Sequence, residues 1–214
     1  MLRSSRRAIV GSLALTAVLA ACGSSKTASP STSSTTAAST STGGTPTTVA
    51  AGPNPNAKEQ LPPGDIPDNQ VYVLYTPSTG GYSLKYPQGW AKRVSTGGTT
   101  FVQNFNSITV STTKSASAPS VTSARATAAA QLSSLPGFHL GTVDTVTRPA
   151  GRVVRLVYNA TSATDAVTGK SVTLDVERYL FWHKGTLVTL TLSSAKGSDN
   201  VDPWKTVTDS LTWK

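Results

Sequence analysis

Over residues 71–214 apolar and polar positions alternate in short runs broken by Gly, Pro, Asn and Asp, the pattern of half-buried β-strands. Residues 71–76 alternate, Pro77-Ser78-Thr79-Gly80-Gly81 gives a strong turn signal, and Tyr82-Ser83-Leu84-Lys85-Tyr86 resumes the alternation. Because side chains on a strand point to opposite faces in turn, Tyr82, Leu84 and Tyr86 share one face and Ser83 and Lys85 the other. Pro87 cannot donate to a central ladder, so this strand is expected to end there, before Gln88-Gly89-Trp90. Residues 99–105 and 107–113 read as a hairpin around Asn106. Three long strands follow at 138–147, 153–161 and 172–182, with a fourth at 187–192 and a turn at 164–170 containing Gly169.

The period changes twice. Residues 119–135 contain five alanines and no glycine, and Val121, Ala124, Ala128, Leu132 and Leu135 form a stripe at helical spacing that Pro136-Gly137 ends. Near the C-terminus, Asp202-Pro203 reads as an N-cap followed by proline at the first helical position. There Trp204, Val207 and Leu211 lie on one side of a short helix. Antiparallel hairpins with one inserted and one terminal helix predict an α+β fold, an antiparallel β-sheet flanked by helices.

The first 70 residues follow neither pattern. Arg3, Arg6 and Arg7 precede an apolar stretch at 8–21, a run of 14 residues where a permanent span needs about 20. Leu19-Ala20-Ala21-Cys22-Gly23 resembles the lipobox of bacterial lipoproteins. That resemblance implies a signal peptide at 1–21, cleavage before Cys22, and a diacylglycerol thioether on Cys22 that ties the chain to membrane lipid. Ser5-Arg6-Arg7-Ala8-Ile9-Val10 also resembles a twin-arginine export signal, and the general and twin-arginine routes both stay open. From Gly23 to Asn56, 30 of 34 residues are Ser, Thr, Ala, Gly or Pro. Residues 22–70 are therefore expected to form a disordered tether spanning roughly 35–40 Å as a flexible chain. Its threonines are candidate glycosylation sites.

Within the expected domain at 71–214, Gly81-Tyr82-Ser83-Leu84-Lys85-Tyr86-Pro87-Gln88-Gly89-Trp90 is similar to the opening strand and turn of the Mog1/PsbP-like superfamily. The later order also matches, with Glu177-Arg178-Tyr179 leading into a paired strand and Asp209-Ser210-Leu211-Thr212-Trp213 closing the last helix. The resemblance implies an α/β/α sandwich, the antiparallel sheet flanked by helices that PsbP and many bacterial lipoproteins share, and supports a fold, not a reaction. Taken with the lipobox, the tether and the missing catalytic constellation, it leads to the expectation of a non-enzymatic binding or assembly module.

Composition narrows the chemistry. All 14 aromatic residues lie between Tyr72 and Trp213, so the core must form there. One cysteine and two distant histidines exclude a Cys/His zinc site, and no metal or cofactor is expected. No nucleophile elbow, phosphate-binding glycine loop, HExxH run or EF-hand loop occurs. Asp175, Glu177 and His183 share one face of a predicted strand, and an envelope hydrolase using them is the alternative to a binding module. Tyr82, Tyr86, Trp90, Trp182 and Trp213 are candidates for a groove holding an apolar ligand or a peptide partner, although most are expected in the core. Residues 71–214 hold 14 Lys and Arg against 7 Asp and Glu. Lys92, Arg93, Arg148, Arg152 and Arg155 are candidates for contact with an anionic lipid surface or envelope polymer. A membrane-protein complex is the other partner expected, and nucleic acid is not, because the anchor places the chain on the extracytoplasmic face of the cell membrane.

Overall fold

The computed structural model describes residues 64–165 and 168–214. The expected signal segment, Cys22, the expected tether as far as residue 63, and two residues of the turn expected at 164–170 lie outside the described residues. Ten strands and two helices are described: β1 (Tyr72–Tyr75), β2 (Tyr82–Pro87), β3 (Ala91–Ser95), β4 (Gly98–Gln103), β5 (Asn106–Lys114), α1 (Val121–Leu132), β6 (His139–Arg148), β7 (Gly151–Thr161), β8 (Thr173–His183), β9 (Thr186–Ala195), α2 (Val201–Asp209) and β10 (Thr212–Trp213). A seven-stranded sheet runs in the order β3-β4-β5-β9-β8-β7-β6, and a three-stranded one in the order β1-β2-β10. Every strand pairing is antiparallel, and the fold is α+β.

Strand parity builds two separate cores on the large sheet. One face presents Phe101, Ile108, Val110, Tyr179, Phe181 and Leu190, which pack with Tyr82 and Leu84 of β2 and with Trp204, Val207 and Leu211 at the C-terminal end. The other face presents Val143, Val154, Leu156, Tyr158, Ala160 and Val176, and here α1 lays down Ala124, Ala128 and Leu132. The alanines let the helix approach the sheet closely, while Ser120 caps it reciprocally with Ser123. Two-residue turns join several hairpins. At the β8–β9 turn Lys184 and Gly185 both have positive φ, 44° and 77°, as the twist of a tight hairpin requires.

One cross-strand row on the α1 side shows how far the helix reaches. Arg93, Thr100, Thr109, Thr191, Arg178, Leu156 and Val143 stand opposite one another in turn across all seven strands. The apolar end, Leu156 and Val143, is covered by α1. The other end, on β5 and β9, carries hydroxyls in place of buried apolar side chains.

Several expectations require correction. Residues 64–70 are not all tether, because Ile66 is 4% exposed in the main core. Its amide donates to Asn200 Oδ1 at 2.8 Å. Asn106 is not a hairpin tip. The two-residue turn is Asn104-Phe105, and Asn106 begins β5 as a buried side chain. β3 was not expected at all. The first helix is shorter than 119–135, and Leu135 lies beyond its end and is exposed. The second starts at Val201 after Asn200, two residues before Pro203, and Thr212–Trp213 pairs with β2 instead of closing that helix.

Candidate functional site

The uncovered end of the α1-side face forms a cleft of about 610 Å³ between the helix and strands β5, β9 and β8. Its floor takes Thr109, Ser111 and Thr113 from β5, and Thr189 and Thr191 from β9. Ser123, Thr127 and Gln131 of α1 form one wall. These strands alternate because their other faces fill the main core with Ile108, Val110, Val188 and Leu190. The residues between them are therefore forced outward, where polar groups keep contact with water.

Arg178 is the charged side chain of the cleft, and no carboxylate, histidine or lysine among the described residues lines it. Its Nε donates to Thr191 Oγ1 at 3.1 Å, and its guanidinium stands over the Tyr158 ring at 5.8 Å. These contacts orient the guanidinium. Arg178 has no ion-pair partner among the described residues, where the ion pairs are Arg148–Asp209, Arg155–Asp144 and Lys205–Asp209. Burial pushes the Tyr158 hydroxyl up in pKa, and the cation beside it partly offsets that rise. Neighbouring hydroxyls pair across strands, Thr100 with Thr109 at 3.0 Å and Ser107 with Ser193 at 2.8 Å. The cleft thus offers donors and acceptors around one fixed cation, with no group suited to general acid or base chemistry.

The sequence-predicted residues fall elsewhere. Tyr82 and Trp90 are 2% and 5% exposed and pack within the main core, and Tyr82 also borders a cavity of about 270 Å³ with Tyr75 and Val94. Tyr86 stacks on Phe101 at 3.8 Å. Trp213 stacks on His183 at 5.2 Å, and its Nε1 donates to the Ala150 carbonyl at 3.4 Å. Trp182 is on the α1 side, donates to the Ser115 carbonyl at 2.9 Å, and lines a separate cavity of about 270 Å³ with Pro119 and Arg152. The five aromatic residues do not form one groove.

The basic residues also divide. Lys92 and Arg93 are on β3, at one edge of the sheet, while Arg148 is on β6 and Arg152 and Arg155 on β7, at the other. At about 4.8 Å per strand, β3 and β7 are roughly 24 Å apart along the sheet. Arg155 binds Asp144 through two hydrogen bonds, 3.1 and 2.7 Å, which hold the Asp144 carboxyl below its usual range. Arg148 donates to Tyr179 Oη at 3.1 Å and faces Asp209. Lys92 sits over the Tyr75 ring at 4.9 Å, and Arg93 and Arg152 are exposed.

The hydrolytic set is not brought together. Asp175 and His183 lie eight positions apart on one strand, about 26 Å at the usual rise, too far to act on one bond. Asp175 accepts from Asn159 Nδ2 at 2.5 Å and from the Gly197 amide at 3.1 Å, and Glu177 accepts from the Tyr179 hydroxyl. Their carboxylates are occupied by structural hydrogen bonds. Among the described residues no three of His, Cys, Asp and Glu come together as a metal site, and no helix is long and apolar enough to cross a membrane.

Sequence reasoning missed Arg178 and the threonine floor as a site. A signal was present, because the outward positions of β5 and β9 are serine and threonine where solvated strands commonly carry charges. What it lacked was the cross-strand order that sets β5 beside β9.

No protein-family model matches the chain, and no curated protein matches it. Among solved structures it is similar to cyanobacterial PsbP (CyanoP) from Synechocystis sp. PCC 6803, at 16% identity over 71% of this chain and 98% of that one, with a TM-score of 0.48. It is also similar to PA94 of Pseudomonas aeruginosa, a protein of unknown function, at 17% identity over 67% and 97% of the two chains, with a TM-score of 0.42. A third similar structure is LpqN of Mycobacterium tuberculosis, described as involved in cell envelope biogenesis, at 16% identity over 72% and 90%, with a TM-score of 0.38.

Proposed function

We propose that this chain is a non-enzymatic binding module, anchored through acylated Cys22 to the extracytoplasmic face of a bacterial membrane and holding an envelope ligand in the α1-side cleft. The observation that carries the reading is the chemistry of the cleft, whose polar lining is hydroxyls, one amide and one guanidinium beside apolar side chains such as Leu132, Leu180 and Leu187, without a carboxylate, histidine or thiol. Such a lining can orient a ligand by hydrogen bonds and charge, but has no group to take or give a proton near neutral pH. The hydrophobic run before Leu19-Ala20-Ala21-Cys22 supports the anchor, and the Ser/Thr/Pro-rich segment after it supports a spacer between lipid and domain.

The test has two arms in one bacterial host. Wild-type chain is expected in the membrane fraction carrying metabolically incorporated fatty acid, and Cys22→Ala in the medium without it; a Cys22→Ala protein that stays membrane-bound overturns the anchor. The second arm extracts wild-type chain and a Thr189→Trp variant, whose indole fills the cleft, and compares the small molecules retained by mass spectrometry. A species held by the wild type and lost from the variant is expected. Equal retention, or none by either, overturns the cleft as the binding site.

A further inference from the structure

We infer that the α1-side cleft takes an oxyanion carried on a polyol, the anionic group resting on Arg178 and the hydroxyls of the ligand on the threonine floor. This deepens the reading of the cleft as a binding site and rests on it. A surface arginine is ordinarily a solubility charge, free to move and flanked by carboxylates. Arg178 differs on three counts. Its Nε is tied to Thr191 Oγ1 at 3.1 Å, and its guanidinium carbon stands 5.8 Å from the centre of the Tyr158 ring. It has no acidic partner within ion-pair distance among the described residues. It stands on the floor of a cleft whose remaining lining is uncharged.

Two consequences follow from elementary electrostatics. An unneutralised cation between low-dielectric walls attracts an anion more strongly than the same cation on an open surface. A guanidinium already oriented through Nε presents its terminal nitrogens as a fork, the geometry that binds carboxylate or phosphate oxygens in pairs. Arg178 has Thr191 beside it, Thr109 next across the sheet, and Thr189 two positions along β9. Each hydroxyl can both donate and accept, which matches the hydroxyls of a polyol, while Leu132, Leu180 and Leu187 can meet its C–H faces.

Phosphate on glycerol or a sugar, as in lipid headgroups and wall polymers, and the carboxylate of a uronic acid share this chemistry. Calorimetric titration of the full chain in detergent, with probes at millimolar concentration, separates them. The probes are glycerol 3-phosphate, glucuronate, inorganic phosphate and glucose. At least one of glycerol 3-phosphate and glucuronate is expected to bind on the order of tenfold more tightly than glucose and than inorganic phosphate, the size of one charge-assisted contact. Whichever of the two binds more tightly identifies the source.

Arg178→Gln is expected to abolish that preference, and Arg178→Lys to keep part of it, which guards against a variant that merely fails to fold. Thr109→Val, nearly isosteric, is expected to bring glycerol 3-phosphate and glucuronate toward inorganic phosphate while leaving the latter unchanged. Four outcomes overturn the inference: no heat with either anionic polyol, glucose binding as tightly as both of them, inorganic phosphate binding as tightly as both of them, or an Arg178→Gln protein that binds as the wild type does. If any of these occurs while Thr189→Trp still displaces a retained envelope species, only the ligand class is wrong. If Thr189→Trp also changes nothing, the cleft itself is not the site.

Discussion

Inside the main core the Tyr179 hydroxyl donates to Glu177 at 2.5 Å and accepts from Arg148 at 3.1 Å. Burial and the adjacent carboxylate push its pKa up to about 12, although Arg148 opposes the shift. The folded chain therefore holds this proton more tightly than the unfolded chain, where a tyrosine titrates near 10. The stability it contributes is complete below pH about 10 and is lost as pH rises toward 12. Burial also raises Tyr72, Tyr82 and Tyr158, so the loss attributable to Tyr179 is read as a difference. Urea unfolding from neutral pH upward should show wild-type stability falling over that window more steeply than Tyr179→Phe. Equal slopes would mean that Tyr179 is not the shifted group. The sequence parity that sets Asp175, Glu177 and His183 on one face of β8 sets Tyr179 there as well. It could not show that the face is the core, because the packing of β2 and α2 over it depends on residues distant in the chain.

Between elements, the informative contact is the pair of buried amides Asn106 and Asn200. Both donate to the Gly64 carbonyl at 2.9 Å, and Asn200 accepts from the Ile66 amide. Asp65 Oδ1 accepts from the Asp199 amide at 2.9 Å, so the segment before β1 is fastened to the start of α2. Asn200→Ala removes the acceptor of a buried amide and should cost about 1–3 kcal/mol. It should also speed hydrogen exchange at Ile66. Asn106→Ala should have the smaller effect at Ile66, because Asn200 still grips Gly64; equal exchange in both variants would contradict this. The strands from β5 to β9 and the α1 stripe of Ala124, Ala128 and Leu132 were legible because parity and helical spacing are local. The fully exposed β3 offers no burial pattern to read. The two residues of β10 are a strand only because β2 lies beside them.

For the whole molecule, the folded unit takes in residues 64–70, a stretch whose composition reads as linker. The composition of 64–70 is misleading because one residue, Ile66, contributes the burial and the rest of the attachment is backbone and amide hydrogen bonding. A fragment comprising 64–214 should unfold cooperatively, and one comprising 71–214 should be less stable by about 2–5 kcal/mol through loss of the Ile66 side chain and its hydrogen bonds. Paired denaturation curves of the two fragments measure this, and coincident midpoints would show that residues 64–70 add nothing. The sheet as a whole explains why a cleft exists. One helix covers the apolar end of the α1-side face, and the hydroxyl-bearing end has no second helix over it among the described residues.

The attachment at Gly64 also has a mechanical consequence. If the chain is tethered through Cys22, a pull on the anchored end that reaches Gly64 meets a carbonyl gripped from two directions at once. Asn200 passes the load to α2 and Asn106 passes it to β5, an interior strand of the seven-stranded sheet. The force is divided between parallel bonds before β1 is reached. Drag on the tether then strains the interior of the sheet, where many bonds share it, and does not peel the edge strand away one bond at a time.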